Sequence, residues 1–229
     1  MTTTLITGAT RGLGYETARR LVEAGHTVYL GARDAARGRE AAAAVGATAV
    51  HLDVTDDASV RAAARQLRDA AGQLDVLVNN AGIAGHHQPP AEATVDDLRR
   101  VLETNVIGAT RVLSVFAPLL DAADVPVVVN VSSAVGSLAL NAKPDARWSM
   151  LAYPMSKAAL NMLTIQYARA YPRWRVNSAT PGPTATDFAP AVAAGHPVEE
   201  GAEILVRMAS IGADGPTGTF VDIDGTVPW

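Results

Sequence analysis

Two short runs, Asp75-Val76-Leu77-Val78 and Val127-Val128-Val129-Asn130-Val131, are apolar at almost every position. A strand with one wet face alternates polar and apolar residues. These runs therefore belong to a sheet covered on both faces, as parallel strands joined by helices are. The rest of the chain supplies the other strands and the covering layers. Thr4-Leu5-Ile6-Thr7 reads as a first strand, followed by glycines and then by Leu13, Ala18, Leu21 and Val22 at helical spacing, with Gly25 as a stop. Residues 27–30, 48–52, 175–179 and 219–223 have strand character. Residues 34–45, 95–120 and 158–171 read as helices, as does a stretch through Ala70 capped by Asp56. The Ala41-Ala42-Ala43-Ala44 run is explained by helix propensity. The βαβαβ rhythm occurs twice, which predicts a doubly wound α/β fold. At 229 residues the chain fits one domain, large enough to need no disulfide or metal staple.

Composition removes several function classes. There are 19 Lys and Arg against 23 Asp and Glu, a net charge of −4 with no basic block, which argues against nucleic-acid or anionic-membrane binding. With no cysteine there is no disulfide, thiolate nucleophile or Cys-ligated zinc. His26, His51 and His196 show no metal-ligand spacing. No apolar run approaches the roughly 18–20 residues that span a bilayer, and no signal-peptide pattern is read, so a cytoplasmic location is expected.

Between the first strand and its helix lies Thr7-Gly8-Ala9-Thr10-Arg11-Gly12-Leu13-Gly14. A pyrophosphate needs backbone N–H groups at close range with the positive end of a helix dipole behind them. Side chains in the turn would block that approach, so glycines belong there. A glycine cluster alone is equally a tight turn, but its place between strand and helix favours the phosphate. Where the second strand ends, an acidic residue would hold a ribose 2′-OH and repel a 2′-phosphate. This chain has Gly31-Ala32-Arg33 there, with Arg11 in the glycine loop. A guanidinium suits a phosphate, so the cofactor is expected to be NADP(H) and not NAD(H).

Several segments together resemble the short-chain dehydrogenase/reductase family, whose fold is the Rossmann type. Thr7-Gly8-x3-Gly12-x-Gly14 matches its glycine motif. Asp53-Val54 matches the acidic turn that holds the adenine, and Asn79-Asn80-Ala81-Gly82 matches the segment after the fourth strand. Asn105, Ser133, Tyr153 and Lys157 fall where the family's catalytic Asn, Ser, Tyr and Lys stand. Pro181-Gly182-x3-Thr186 matches the nicotinamide-side loop. The resemblance implies seven strands in the order 3-2-1-4-5-6-7. It also implies a cofactor site of Gly8, Thr10, Arg11, Gly12, Leu13, Gly14, Arg33, Asp53, Val54, Asn80, Ala81, Gly82, Tyr153, Lys157, Pro181, Gly182, Thr184 and Thr186. The long helices at 96–120 and 153–171 would form the faces of a homodimer or homotetramer.

Tyr153 and Lys157 are four apart at a helix start, hence on one face and about 5–6 Å apart. A lysine charge at about 5 Å with an effective dielectric near 20 is worth about 3.3 kcal/mol. That would lower the phenol pKa by roughly two units, towards the operating pH. The resemblance makes Tyr153 the general acid/base and Ser133 the group that polarises the carbonyl. Asn105 would support a water-linked proton route to Lys157. Ser132 is a neighbouring candidate, although the alignment favours Ser133.

Ser133 and Tyr153 are 20 residues apart, more than in many family members, so Leu140 to Met150 is an insertion beside the carbonyl site. With the short segment after Thr186 this is similar to the carbonyl reductase-like branch, acting on aldehydes, ketones or quinones. Two other readings stay open: a 3-oxoacyl carrier-protein reductase, and a non-catalytic NADP-sensing protein. His86 and His87 read as a solvated loop pair, Trp148, Trp174 and Trp229 as packing or interface residues.

Overall fold

In the computed structural model, which describes residues 1–146, 149–186, 188 and 195–229, seven short strands lie side by side. They are β1 Thr3–Ile6, β2 Thr27–Ala32, β3 Thr48–His51, β4 Val76–Asn79, β5 Val127–Val131, β6 Arg175–Ala179 and β7 Phe220–Val221. The order is β3-β2-β1-β4-β5-β6-β7, and every pairing is parallel. This is the doubly wound sheet and the strand order expected from the sequence.

Among the described residues, eight α-helices accompany the strands: α1 Gly12–Glu23, α2 Ala35–Val45, α3 Asp57–Ala71, α4 Val95–Leu102, α5 Ala109–Asp121, α6 Leu138–Asn141, α7 Ala152–Ala170 and α8 Val198–Ala209. Successive strand residues serve opposite layers, as the pleat requires. Ile6, Leu30, Val78 and Val129 pack with Ala18 and Leu21 of α1, Ala41 of α2 and Leu205 of α8. Their neighbours Leu5, Tyr29, Leu77 and Val128 pack with Val60 and Leu67 of α3 and with Val112 and Phe116 of α5. Each large side chain buried this way contributes roughly 1.5–3 kcal/mol, which is why the apolar runs are continuous. Asp56 caps α3 by accepting the Ala58 N–H at 2.9 Å, as its position predicts. Trp174 is fully buried and donates its Nε1 hydrogen to Asp121 at 2.9 Å, a packing role. Trp148 lies outside the described residues. Among those described, no helix is long and apolar enough to cross a membrane.

Two boundaries differ from the sequence reading. Residues 95–120 are predicted as one helix, but α4 and α5 are separated by a π-helical turn, Glu103–Gly108. Its cause is tertiary: Gly108 lies so close to Val54 that an added Cβ would stand 2.8 Å from a Val54 methyl, while the Asn105 side chain turns inward. The helix read from periodicity at 158–171 begins six residues earlier, at Ala152, which agrees with the 153–171 implied by the resemblance and keeps Tyr153 and Lys157 in its first turns. The segment between Ser133 and Tyr153 contains a 3-10 turn, Ala134–Gly136, and the single-turn α6. Strand order reverses on either side of β1, because β3 crosses over to β4. In such sheets ligands bind in the crevice outside the carboxyl ends of the strands at that reversal.

Candidate active site

At the end of β1 the chain enters the glycine loop, and its geometry shows why glycine stands at each place. Gly8 and Gly12 have φ of 64° and 58°, the left-handed region that side chains disfavour. A Cβ on Gly14 would lie 2.4 Å from the Asn80 amide nitrogen, so this glycine lets α1 approach the segment after β4. At Gly12 the nearest group a Cβ would meet is a Thr186 methyl at 3.6 Å, which leaves the loop open on its outer side. Arg11 occupies the N-cap position in extended conformation. It makes no side-chain capping bond, and α1 has no acid in its first turn. The first N–H groups of α1 are thus left for something other than a cap. Thr10 and Leu13 are half-buried, and Leu13 packs into the core layer of α1 and α8.

Asn80 and Ala81 lie against this loop, whereas a Cβ on Gly82 would meet the Asn105 side chain at 3.2 Å. The Asn80 amide donates to the carbonyls of Thr7 and Gly8 at 2.9 and 3.0 Å. Thr7 Oγ1 accepts the N–H groups of Asn80 and Ala81 at 3.0 and 2.9 Å. Thr7 is therefore the hinge of both loops. In the sequence Thr7 stands only as a threonine before the first glycine; its burial comes from the fold.

The carboxylate of Asp53 accepts the N–H and hydroxyl of Thr55 at 2.9 and 2.7 Å. Burial acts to raise its pKa, but the Thr55 bonds and the nearby Arg33 and His51 charges outweigh that and hold it below the usual value. Arg33 is exposed and close enough for its charge to act on Asp53, so the two sit at one edge of the crevice. The Val54 side chain is buried against Gly108, and its carbonyl accepts a hydrogen bond from Arg111 at 2.6 Å.

Across the crevice, Ser133, Tyr153 and Lys157 come together where β5 ends. The Ser133 hydroxyl is close enough to Tyr153 to act on its phenol. Ser132 instead turns inward, donating to Asn161 at 2.6 Å, so the second serine is the one presented. Lys157 Nζ lies 5.5 Å from the centre of the Tyr153 ring and donates to the Val131 carbonyl at 2.7 Å. Asn105 is buried in the π-helical turn, a feature frequent at functional sites. Its amide clasps the main chain of Ile83, accepting from N at 2.8 Å and donating to O at 2.9 Å, and donates to Ser156 Oγ at 3.0 Å. Ser156 in turn donates to the Tyr153 carbonyl at 2.7 Å. Asn105 thereby joins the segment after β4 to the first turn of α7.

The electrostatics correct the sequence estimate. Burial pushes the Tyr153 phenol well above its ordinary value, and the Ser133 hydroxyl opposes this only in part. Lys157 does not produce the expected lowering. Its ammonium is directed at the Val131 carbonyl, and burial lowers its own pKa to about 8. Desolvation, which a spacing argument cannot see, outweighs charge proximity.

Gly182, with φ of 72°, turns the chain after β6 towards His196. Thr184 is buried, its hydroxyl bonded to the carbonyls of Pro181 and Gly182 at 3.4 and 3.3 Å. Thr186 faces Gly12, closing the ring of predicted segments. Phe188, not singled out in the sequence, lies with its ring centre 5.7 Å from that of Tyr153. Asp187 and residues 189–194 lie outside the described residues. His86 is exposed, with Nδ1 3.2 Å from the buried Asp97 carboxylate, as suits a solvated loop.

The sequence pattern of the short chain dehydrogenase family matches residues 2–196, most of the chain. The protein belongs to the short chain dehydrogenase family. It is 35% identical to a short-chain dehydrogenase/reductase of Stachybotrys chlorohalonatus, over 96% of this chain and 88% of that one. Its fold superposes on salutaridine reductase from Papaver somniferum with a TM-score of 0.83 at 28% identity, covering 96% of this chain and 99% of the other. NADPH-bound carbonyl reductase from chicken fatty liver gives 0.86 at 26% identity, covering 99% and 98%. The short-chain dehydrogenase is accordingly an oxidoreductase of a family that binds a nicotinamide cofactor.

Proposed function

We propose that this short-chain dehydrogenase is an NADP(H)-dependent reductase that converts a ketone, aldehyde or quinone to the alcohol. The observation that carries the reading is the meeting of Ser133, Tyr153 and Lys157 where β5 ends, in a sheet whose first strand leads through the glycine loop into the uncapped N-terminus of α1. The residues present fit a dinucleotide. Gly8, Gly12 and Gly14 bring no side chain into the turn, the first N–H groups of α1 lack a side-chain cap, and Arg11 and Arg33 are exposed guanidiniums of the kind that suits a 2′-phosphate. Gly8, Thr10, Gly12, Leu13 and Gly14 would hold the pyrophosphate, Asp53 and Val54 the adenine. Asn80, Ala81, Gly82, Pro181, Gly182, Thr184 and Thr186 would line the path to the nicotinamide. When bound, the cofactor supplies hydride to the carbonyl carbon.

Tyr153 donates its hydroxyl proton to the carbonyl oxygen, so that C–O becomes C–OH and the phenol becomes a phenolate. Ser133 hydrogen-bonds the same oxygen as negative charge develops on it, an oxyanion-type contact. A phenol held above its ordinary pKa starts protonated, which suits it to act as the acid in reduction. Lys157, lowered to about 8, keeps most of its charge at neutral pH and would hold the cofactor beside Tyr153. Asn105 acts by holding Ile83 and the first turn of α7 in place. The Phe188 ring beside Tyr153 favours an apolar carbonyl compound. The π-helical turn and α7 leave Ile107, Met155 and Met162 exposed, and these support assembly as a homodimer or homotetramer.

The test is NADPH oxidation, followed by absorbance, against a panel of ketones, aldehydes and quinones. Turnover that falls about 10²–10⁴-fold in Tyr153→Phe, with NADPH binding retained, supports the reading. Full turnover in that variant removes Tyr153 from the chemistry.

A further inference from the structure

We propose that Ser137 and Trp229 are positioning residues that clamp the turn bearing Ser133 against α7. The inference rests on the reductase reading above, because it concerns where the Ser133 hydroxyl stands relative to Tyr153.

The chain leaves β5 through Ser132 and Ser133 into the 3-10 turn, where the Gly136 N–H donates to the Ser133 carbonyl at 2.8 Å. This turn lies directly on α7. A Cβ at Gly136 would stand 2.6 Å from Lys157 Cβ and 2.7 Å from its carbonyl carbon, so turn and helix touch main chain to main chain. From the α7 side Asn161 ties the two together, accepting from Ser132 Oγ at 2.6 Å and donating to the Gly136 carbonyl at 3.4 Å. Any displacement of the turn therefore moves Ser133 relative to Lys157.

The opposite side of the turn is held by residues far away in sequence. Ser137 is fully buried, and its hydroxyl donates to the Pro228 carbonyl at 2.6 Å while accepting the Leu140 N–H at 3.0 Å. Two residues on, the Ala139 N–H donates to the Trp229 main-chain oxygen at 2.9 Å. Trp229 is itself anchored: its ring stacks on Phe220 of β7, centres 5.6 Å apart and planes at 24°, and Phe220 is fully buried. The Val227 N–H bonds the Phe220 carbonyl at 2.8 Å, bringing the chain back along β7. The sheet thus grips the turn through Phe220, Trp229 and Ser137 in sequence, with α7 as the opposite jaw. The serine at the turn's head must share one substrate oxygen with a phenol on α7. A misplacement of about 1 Å in such a pair costs about 10²-fold in rate.

The experiment compares Ser137→Ala, Trp229→Ala and the conservative Trp229→Phe, which keeps the ring stack. For the two alanine variants kcat for carbonyl reduction is expected to fall at least about tenfold, with the NADPH dissociation constant unchanged within about threefold. Trp229→Phe is expected to recover most of the rate. Amide hydrogen exchange supplies a readout independent of turnover. Residues 134–141 should exchange faster in Trp229→Ala, while amides of β4 and β5 keep their protection. The proposal is overturned by unchanged exchange over 134–141, by faster exchange with kcat within about twofold of wild type, or by a parallel loss of protection in β5. A wild-type protein that reduces nothing in the panel overturns the reductase reading instead, and the exchange pattern then still decides for or against the clamp.

Discussion

Replacing Lys157 with methionine should make the protein more stable at neutral pH and inactive. Lys157 is 4% exposed, and its folded-state pKa is lowered from 10.5 to about 8 by burial. At about 1.4 kcal/mol per pH unit that depression corresponds to about 3 kcal/mol against the folded state wherever the amine is charged in both states. Methionine fills similar volume without charge. It also abandons the 2.7 Å bond to Val131, leaving a buried carbonyl unpaired at a cost of about 1–3 kcal/mol. The balance is a gain of about 1 kcal/mol, or about 2–4 °C in melting temperature for a chain of this size. The pH dependence is the sharper signature. For a base whose pKa is lower folded than unfolded, the penalty is complete below about pH 8 and fades as pH rises towards 10.5. The wild-type protein should therefore gain on the variant between about pH 8 and 10.5, closing or inverting the gap. Thermal melts of both proteins at about pH 7 and about pH 10 read this directly. A variant that melts below wild type at neutral pH, or a gap that does not narrow, refutes the account of Lys157 as a desolvated charge.

The same amine shapes catalysis: reductive kcat/KM should be level at neutral pH and decline above about pH 8 as Lys157 loses its proton, and a profile flat to about pH 9.5 contradicts its role. Arg33→Asp places a like charge beside the expected 2′-phosphate and should shift the NADPH-to-NADH ratio of kcat/KM at least about tenfold towards NADH. An unchanged ratio takes Arg33 out of cofactor choice. Gly136→Ala forces a methyl to within 2.9 Å of the Lys157 and Ala158 main chain, and urea titration should show about 1–3 kcal/mol lost; wild-type stability would mean the turn can retreat from α7.

Much of the architecture was legible because the physical demands are local. Val127–Val131 announces a doubly covered strand, and Asp56 announces a helix start; both stand as read. The glycine loop, Asn80 and the Ser133, Tyr153 and Lys157 group were legible as spacings, and the fold brings them to one crevice. Strand order was not readable from the runs themselves and came with the family resemblance. The break at Glu103–Gly108 was hidden because apolar periodicity continues through it. What interrupts the helix is the approach of Val54 to Gly108 and the grip of Asn105 on Ile83, contacts between residues distant in sequence.

Spacing alone establishes that Tyr153 and Lys157 share a helix face, because four residues nearly complete a turn wherever that helix is placed. The direction in which their pKa values move depends on the water each has lost and on which carbonyl the ammonium reaches. Those quantities exist only once β5, α7 and the turn at Gly136 are packed together. Residue type and separation are properties of the chain, whereas desolvation is a property of the enclosure. Here the enclosure reversed the expected sign for the phenol.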